Sequence, residues 1–287
     1  MSRNSRRTSA NPPTPQAPAP PRGLPPQTAT NPFGIDLVAA TEVVKLPSGG
    51  KFYGTDSSLH GVSEIEIRHM TAREEDILSN QEFVFNGTVF DRVLSSVIID
   101  GSISPLDLID GDRNALLYAA RITGYGNDYT IMMDCDKCGK NAEFTFDLEK
   151  RTVTHDLPSG VTLDDSTGYF NFELPKTKAT VIVKILTGAD EAFLRKQNEK
   201  AESLGLENNK TLNLFRRSIV SVNGVTDQGQ IAKLFDILPA IDSRKIRMTI
   251  NNLSPTVSTK QEVACGSCGE ESESEVPFSL GFFWPDL

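Results

Sequence analysis

The chain has 287 residues, a net charge of -9 and 38% hydrophobic residues, enough for two ordinary domains or one large composite domain with a real core. It has no apolar run of the ~18 residues a membrane span needs and no charged start leading into a hydrophobic stretch. The sequence therefore predicts a protein made in, and kept in, a cytoplasm. Residues 1–35 carry Arg3, Arg6, Arg7 and Arg22 and no acidic residue, so the remaining body is more acidic than the whole. An acidic body repels nucleic acid. The four arginines read as a solubilising tail or as a phosphate- or partner-binding arm.

From Ser9 to Pro32 the sequence is Pro, Ala, Thr and Gln in irregular order. Proline lacks a backbone donor and little here is apolar, so residues 1–32 are expected to be a disordered or polyproline-like arm, with folding beginning near Phe33.

Beyond Phe33 the sequence reads as one pattern written twice. KLPSGGKFY (Lys45 to Tyr53) and DLPSGVTLD (Asp156 to Asp164) share an LPSG turn signal. EIEIRHM (Glu64 to Met70) and TVIVKIL (Thr180 to Leu186) alternate as strands do. Each runs into a threonine, Thr71 or Thr187, with an acid three residues on, Glu74 or Asp190; this is the spacing of a capping box at a helix start. FDRVLSSVIIDG (from Phe90) and LFRRSIVSVNG (from Leu214) read as helices passing into a β-rich run and a turn. DGDRNALLYAARI (from Asp110) and IDSRKIRMTIN (from Ile241) read as short helices led by Asp and Arg. Each copy then reaches a Cys-x-x-Cys-Gly segment followed by an alternating stretch ending in Phe-x-Leu. The order predicts an α+β fold made by tandem duplication, copy one about Val43 to Leu148 and copy two about Thr154 to Leu280. The domain division is an arm at 1–32, copies at 33–150 and 151–280, and an aromatic C-terminal anchor at 281–287. The anchor, rich in aromatics through Phe282, Phe283 and the lone Trp284, either caps the chain's own core or inserts into a neighbour.

The four cysteines are Cys135, Cys138, Cys265 and Cys268, with none left over. Two thiolates three positions apart bend a turn around a soft cation, and Gly139 and Gly269 allow left-handed or close-approach backbone there. Two such turns make a tetrahedral S4 shell, so one structural Zn2+ is expected to join the two copies. Iron, disulfides and intermolecular pairing are the alternatives that the spacing leaves. A closed S4 shell keeps no open position for water, so the metal is expected to be structural rather than catalytic.

Of the three histidines, His60, His69 and His155, none sits in HExxH or close in sequence to a candidate nucleophile. Phosphate-loop, dinucleotide-binding, nucleophile-elbow and EF-hand motifs are absent from the sequence, which predicts no catalytic residues and no enzyme.

At LPSGGKFY, EIEIRHMTAREEDIL and the CxxCG segments the chain resembles a family of baseplate hub proteins from T4-like contractile-tailed bacteriophages. The resemblance carries over the turn Leu46 to Gly49 with Tyr53, the Met70-Thr71 step with Glu74, Glu75 and Asp76, and the cysteines. It implies a structural or assembly component of a tail baseplate hub, working through contacts with other phage tail proteins. Its expected place is the host cytoplasm during assembly and then the virion tail. The competing expectation is a zinc-ribbon nucleic-acid adaptor, which the acidic EESESE after the second cysteine pair disfavours.

Overall fold

The computed structural model describes residues 40–154, 157–205, 209–277 and 280–283; the arm assigned to 1–32 lies outside them, as do His155, Phe278 and Trp284. The fold is mixed α+β. It opens with strands β1 (Thr41–Lys45) and β2 (Glu64–Arg68), an antiparallel pair running from Thr41↔Arg68 to Lys45↔Glu64. Their alternation puts Val44, Ile65 and Ile67 inward and leaves the glutamates of β2 in water.

Helix α1 (Ala72–Ser79) begins at the predicted capping box, where the Thr71 amide donates to Glu74 at 2.9 Å. Asn80 ends it and caps α2 (Gln81–Phe85) by accepting from the amides of Glu82 and Phe83. Helix α3 (Val89–Val97) buries Val89, Val93, Leu94 and Val97 on one face, after which Ile98 bridges to Ile67 of β2. Helix α4 (Asp110–Tyr125) is longer than expected, at 16 residues, and is covered on most sides; this is the mark of a central helix rather than a surface one. Strands β3 (Asp128–Asp134) and β4 (Asn141–Asp147) form a hairpin, and β5 (Thr152–Thr154) comes next.

Beyond it come β6 (Thr162–Asp164), β7 (Tyr169–Glu173) and β8 (Thr180–Val183). Helix α5 (Gly188–Ser203) starts at the second capping box, Thr187 with Asp190. Helix α6 (Lys210–Ser218) runs directly into β9 (Ile219–Val222), completing a four-stranded sheet in the order β6-β7-β8-β9. Helices α7 (Gln228–Ile237) and α8 (Ala240–Asn251) precede β10 (Thr256–Ser258), β11 (Gln261–Ala264) and β12 (Glu271–Ser274). Strand β10 returns to pair with β5, joining the two stretches of chain.

Several arrangements recur in both stretches. The last cation of each strand, Arg68 in β2 and Lys184 after β8, meets the capping acid at 2.5 and 2.6 Å. A group near the end of the next nine-residue helix meets the same acid, Ser96 at 2.6 Å on Glu74 and Arg217 at 2.7 Å on Asp190. Asp112 and Asp242, each three residues into its helix, are fully buried and take backbone amides from a distant turn. Asp112 accepts from the amide of Ser48 at 2.9 Å, and Asp242 from those of Lys176 and Thr177 at 2.8 and 2.9 Å.

These contacts show where the two LPSG segments stand. Leu46–Gly49 forms the turn after β1 that docks on Asp112. The segment in the same place in the second stretch is Leu174–Thr177, after β7, and not the LPSG of Leu157–Gly160, which leads into β6. The register agrees, because Lys45↔Glu64 closes the first hairpin as Glu173↔Thr180 closes the second. A tetrapeptide shared by two turns is a weaker guide than the carboxylate on which a turn's amides land.

The Asp112 site is the most tightly held of these. Its carboxylate also accepts from the Ser48 hydroxyl at 2.6 Å and the Tyr53 hydroxyl at 2.5 Å, and Tyr53 in turn accepts from the Ile109 amide. Burial pushes the Asp112 carboxyl up against the pull of these donors. Asp112→Ala is expected to leave three donors without their acceptor and to cost about 2–3 kcal/mol in denaturant unfolding. A loss under about 0.5 kcal/mol would show that water replaces the carboxylate.

Candidate metal centre

The cysteines lie on two hairpins of the same construction. Between β3 and β4, the Cys135 amide donates to the Lys140 carbonyl at 3.0 Å and the Gly139 amide to the Cys135 carbonyl at 2.8 Å. Between β11 and β12, Cys265 donates to Glu270 at 3.0 Å and Gly269 to Cys265 at 2.8 Å. Gly139 and Gly269 have φ of +66° and +70°, and a Cβ on either would meet nothing within 4 Å. Of the two roles expected for these glycines, left-handed backbone is the one used.

Chain packing, not the cysteines alone, sets the hairpins beside each other. The Gly266 amide donates to the Glu143 carbonyl of β4 at 3.0 Å, and a Cβ on Gly266 would lie 3.0 Å from that oxygen. Gln261 bonds β4 through its side chain, its Oε1 accepting from the Asp147 amide at 3.0 Å and its Nε2 donating to the Asp147 carbonyl at 3.2 Å. That pair imitates a strand neighbour where the backbone ladder has none. Gln261 and Gly266 are both invisible to a motif search.

The result is that one sulfur from each of Cys135, Cys138, Cys265 and Cys268 comes within 4.8 Å of the others. Cys135 and Cys265 are buried, Cys138 is half-buried and Cys268 is exposed. An S4 tetrahedron with Zn–S of about 2.3 Å has edges of roughly 3.8 Å, so these thiols need only a small contraction to hold one ion. Backbone amides of Cys268 and Ser267 aimed at its sulfur draw the Cys265 thiol down, while burial and the neighbouring sulfurs push the Cys268 thiol up. His60 and His69 take no part; His60 bonds the Tyr53 carbonyl through Nδ1 at 2.7 Å and His69 lies just past the end of β2.

A family model described as T4 bacteriophage base plate protein matches residues 38–284. The chain belongs to that family. This makes it a phage baseplate protein, and the other base-plate and tail proteins are its natural company. No curated protein and no solved structure matches the chain. Among the described residues no helix is long and apolar enough to cross a membrane.

The motif residues behind the resemblance prove to be framework in this base-plate protein. Leu46–Gly50 and Tyr53 dock on Asp112, and a Cβ on Gly50 would come 2.4 Å from the Val62 amide nitrogen. Met70 packs against Gly124 of α4. Glu75 accepts from the Tyr125 hydroxyl at 2.9 Å, and Glu74 binds Arg68, Ser96 and Thr71. Sequence reasoning missed Asp112, Asp242 and the buried Arg121, whose Nε donates to the Phe282 carbonyl at 2.8 Å. An acid three residues into a helix was the one available signal for the two aspartates.

For Glu74, burial alone would push the carboxyl up, but bonds from Arg68, Ser96 and Thr71 outweigh it and hold it at about 2. A carboxylate held low when folded adds stability above its unfolded value of 4.5 and loses it as pH falls toward 2. Thermal melts from pH 6 to pH 2 should therefore show an acid limb that Glu74→Gln flattens. An unchanged pH dependence in the variant would remove Glu74 as its source.

Proposed function

We propose that this chain is a non-enzymatic structural component of the phage baseplate hub, built as a tandem duplication whose halves are clamped by one structural zinc. The observation that carries this reading is the convergence of four thiols, two from each stretch of chain, on a volume fit for one ion. Membership of the base-plate family supports the setting. The recurring capping acids, buried helix-start aspartates and CxxC hairpins support the duplication, with halves near 33–150 and 151–280.

The donor set decides which metal fits. Four thiolates are soft ligands in a tetrahedral arrangement, which suits zinc, and four protein donors leave no position for a reacting water. Cys135, Cys138, Cys265 and Cys268 would hold the ion and close a loop that runs through most of the second half. Such a clamp makes the pair one rigid body and suits a part that transmits load between neighbours. The protein acts through contacts with other tail proteins, in the host during assembly and then in the tail.

Purified protein should contain about one zinc per chain, as four thiolates allow. Cys135→Ser and Cys265→Ser should lower the melting temperature by similar amounts and release the metal, because each removes a ligand from the same ion. Chelation of the wild type should reproduce that loss. Two ions per chain, or a cysteine variant from one half that melts like the wild type, would sink the shared site. For the hub role, phage supplied only with Cys265→Ser should yield fewer complete baseplates; a normal yield of complete tails would count against it.

A further inference from the structure

The two cysteine hairpins differ in what their outer edges meet. Strands β3 and β11 correspond, since each ends one residue before the first cysteine of its pair, Cys135 or Cys265. Strand β11 turns its outer edge to β4, on which the Gly266 amide and the Gln261 side chain land. Strand β3 pairs with β4 and has no strand on its other side among the described residues.

The register shows what that edge offers. The Cys135 amide bonds Lys140 and the Leu148 amide bonds Asn127, so the odd-numbered residues of β3 turn their backbone groups to β4. Those of Asp128, Thr130, Met132 and Asp134 therefore point outward, and none of them is bonded among the described residues. The strand runs seven residues in unbroken register, with Ile131, Met132 and Met133 at its centre and neither lysine nor proline along it. Met132 is 62% exposed, and Ile131 and Met133 are only half-buried. Proteins ordinarily blunt such an edge, because it is a template for another strand. Its outward face is acidic. Asp128 stands directly opposite Asp147, where like charges repel, and Met132 stands opposite Glu143. Lys150 lies 4.0 Å from Asp147, whereas Asp128, Asp134 and Glu143 make no ion pair among the described residues.

We propose that the open edge of β3 receives an extended segment of a neighbouring baseplate protein as an added antiparallel strand. The segment carries Lys or Arg at both ends, facing Asp128 and Asp134, and apolar side chains beside Ile131 and Met133. Backbone bonds to Thr130 and Met132 supply the grip, and the basic ends choose the partner. A second copy of this chain is the wrong occupant. Strand β3 paired antiparallel with itself about Ile131 sets Asp128 against Asp134 at both ends. The partner's origin follows from membership of the base-plate family and does not depend on the zinc.

The probe is a labelled synthetic peptide, Lys-Val-Thr-Val-Thr-Val-Lys, titrated into the full-length protein by fluorescence anisotropy. Its lysines face the two aspartates, and its valines lie beside Tyr129, Ile131 and Met133. It should bind saturably. Methylating its two threonine amides removes the donors that an antiparallel partner offers here, and should weaken it about tenfold or more. Glutamate in place of both lysines, Asp128→Lys in the protein and Met132→Pro in the protein should each do the same. The Met132 amide is not bonded to β4, so proline there leaves the ladder whole, and wild-type melting temperature and zinc content confirm it. If that variant fails to fold, Asp128→Lys and the methylated peptide carry the test. Phage supplied only with a folded Met132→Pro chain should yield fewer complete baseplates. No saturable binding, equal binding of the methylated or glutamate peptide, or a normal yield of baseplates overturns the proposal. Self-association of the protein that Met132→Pro abolishes, without peptide binding, gives the edge to a second copy and equally overturns it. Zinc content and the melts of the cysteine variants test the clamp separately, so a chain with one zinc and an idle edge would lose only this inference.

Discussion

A carboxylate taken out of water must be met by donors, and this chain uses that demand at every buried acid among its described residues. Glu74, Asp112, Asp190 and Asp242 are those acids, and each stands three residues into a helix. There the free amides of the first turn and the helix dipole favour a negative charge, which lowers the cost of burial. What remains of each carboxylate's capacity is directed outward. Glu74 and Asp190 fasten a helix to the strand before it, while Asp112 and Asp242 fasten a turn of more distant chain to a helix start. Strand, turn and helix are thereby set before the apolar core is considered, and the CxxC hairpins inherit their positions from helices so fixed.

The local half of this scheme is plain in the sequence. A threonine with an acid three residues on announces a capping box, and both boxes form because every participant lies within one turn. The hairpins around the cysteines are legible for the same reason: Cys-x-x-Cys-Gly encodes its own turn. Convergence of the two pairs was legible by stoichiometry, since two thiolates leave a tetrahedral ion half satisfied. Non-local facts were not legible. Nothing adjacent to Asp112 reveals that its donors come from Ser48 and Tyr53, some sixty positions away. The equivalence of LPSG with LPSG fails on this point. Asp242 takes two backbone amides, which any residue but proline can supply, so Lys176 and Thr177 serve where Ser48 and Gly49 might be sought.

Close approaches of backbone to backbone tie the two stretches of chain together. Thr55 donates to the Ser166 carbonyl at 2.9 Å, and a Cβ on Gly168 would sit 2.6 Å from the Phe52 carbonyl oxygen. On the opposite flank Arg113 of α4 bridges Asp91 of α3 and Glu191 of α5. Any metal at the cysteines thus reinforces a seam already drawn by packing, β5–β10 pairing and charge. It need not create that seam.

The seating of Phe282 and Phe283 also sets an order of events during synthesis. They complete the packing of Tyr118 and Phe90, residues made long before them, and Arg121 waits with them for the Phe282 carbonyl. On the ribosome Tyr118 and Phe90 therefore emerge well before the two phenylalanines that pack on them. A chain released before residue 282 lacks those two rings and the carbonyl that Arg121 holds, and leaves apolar surface of Tyr118 and Phe90 without that cover. The packing of the earliest described helices is thus finished by some of the last described residues, which makes the final form of the one wait on the synthesis of the other.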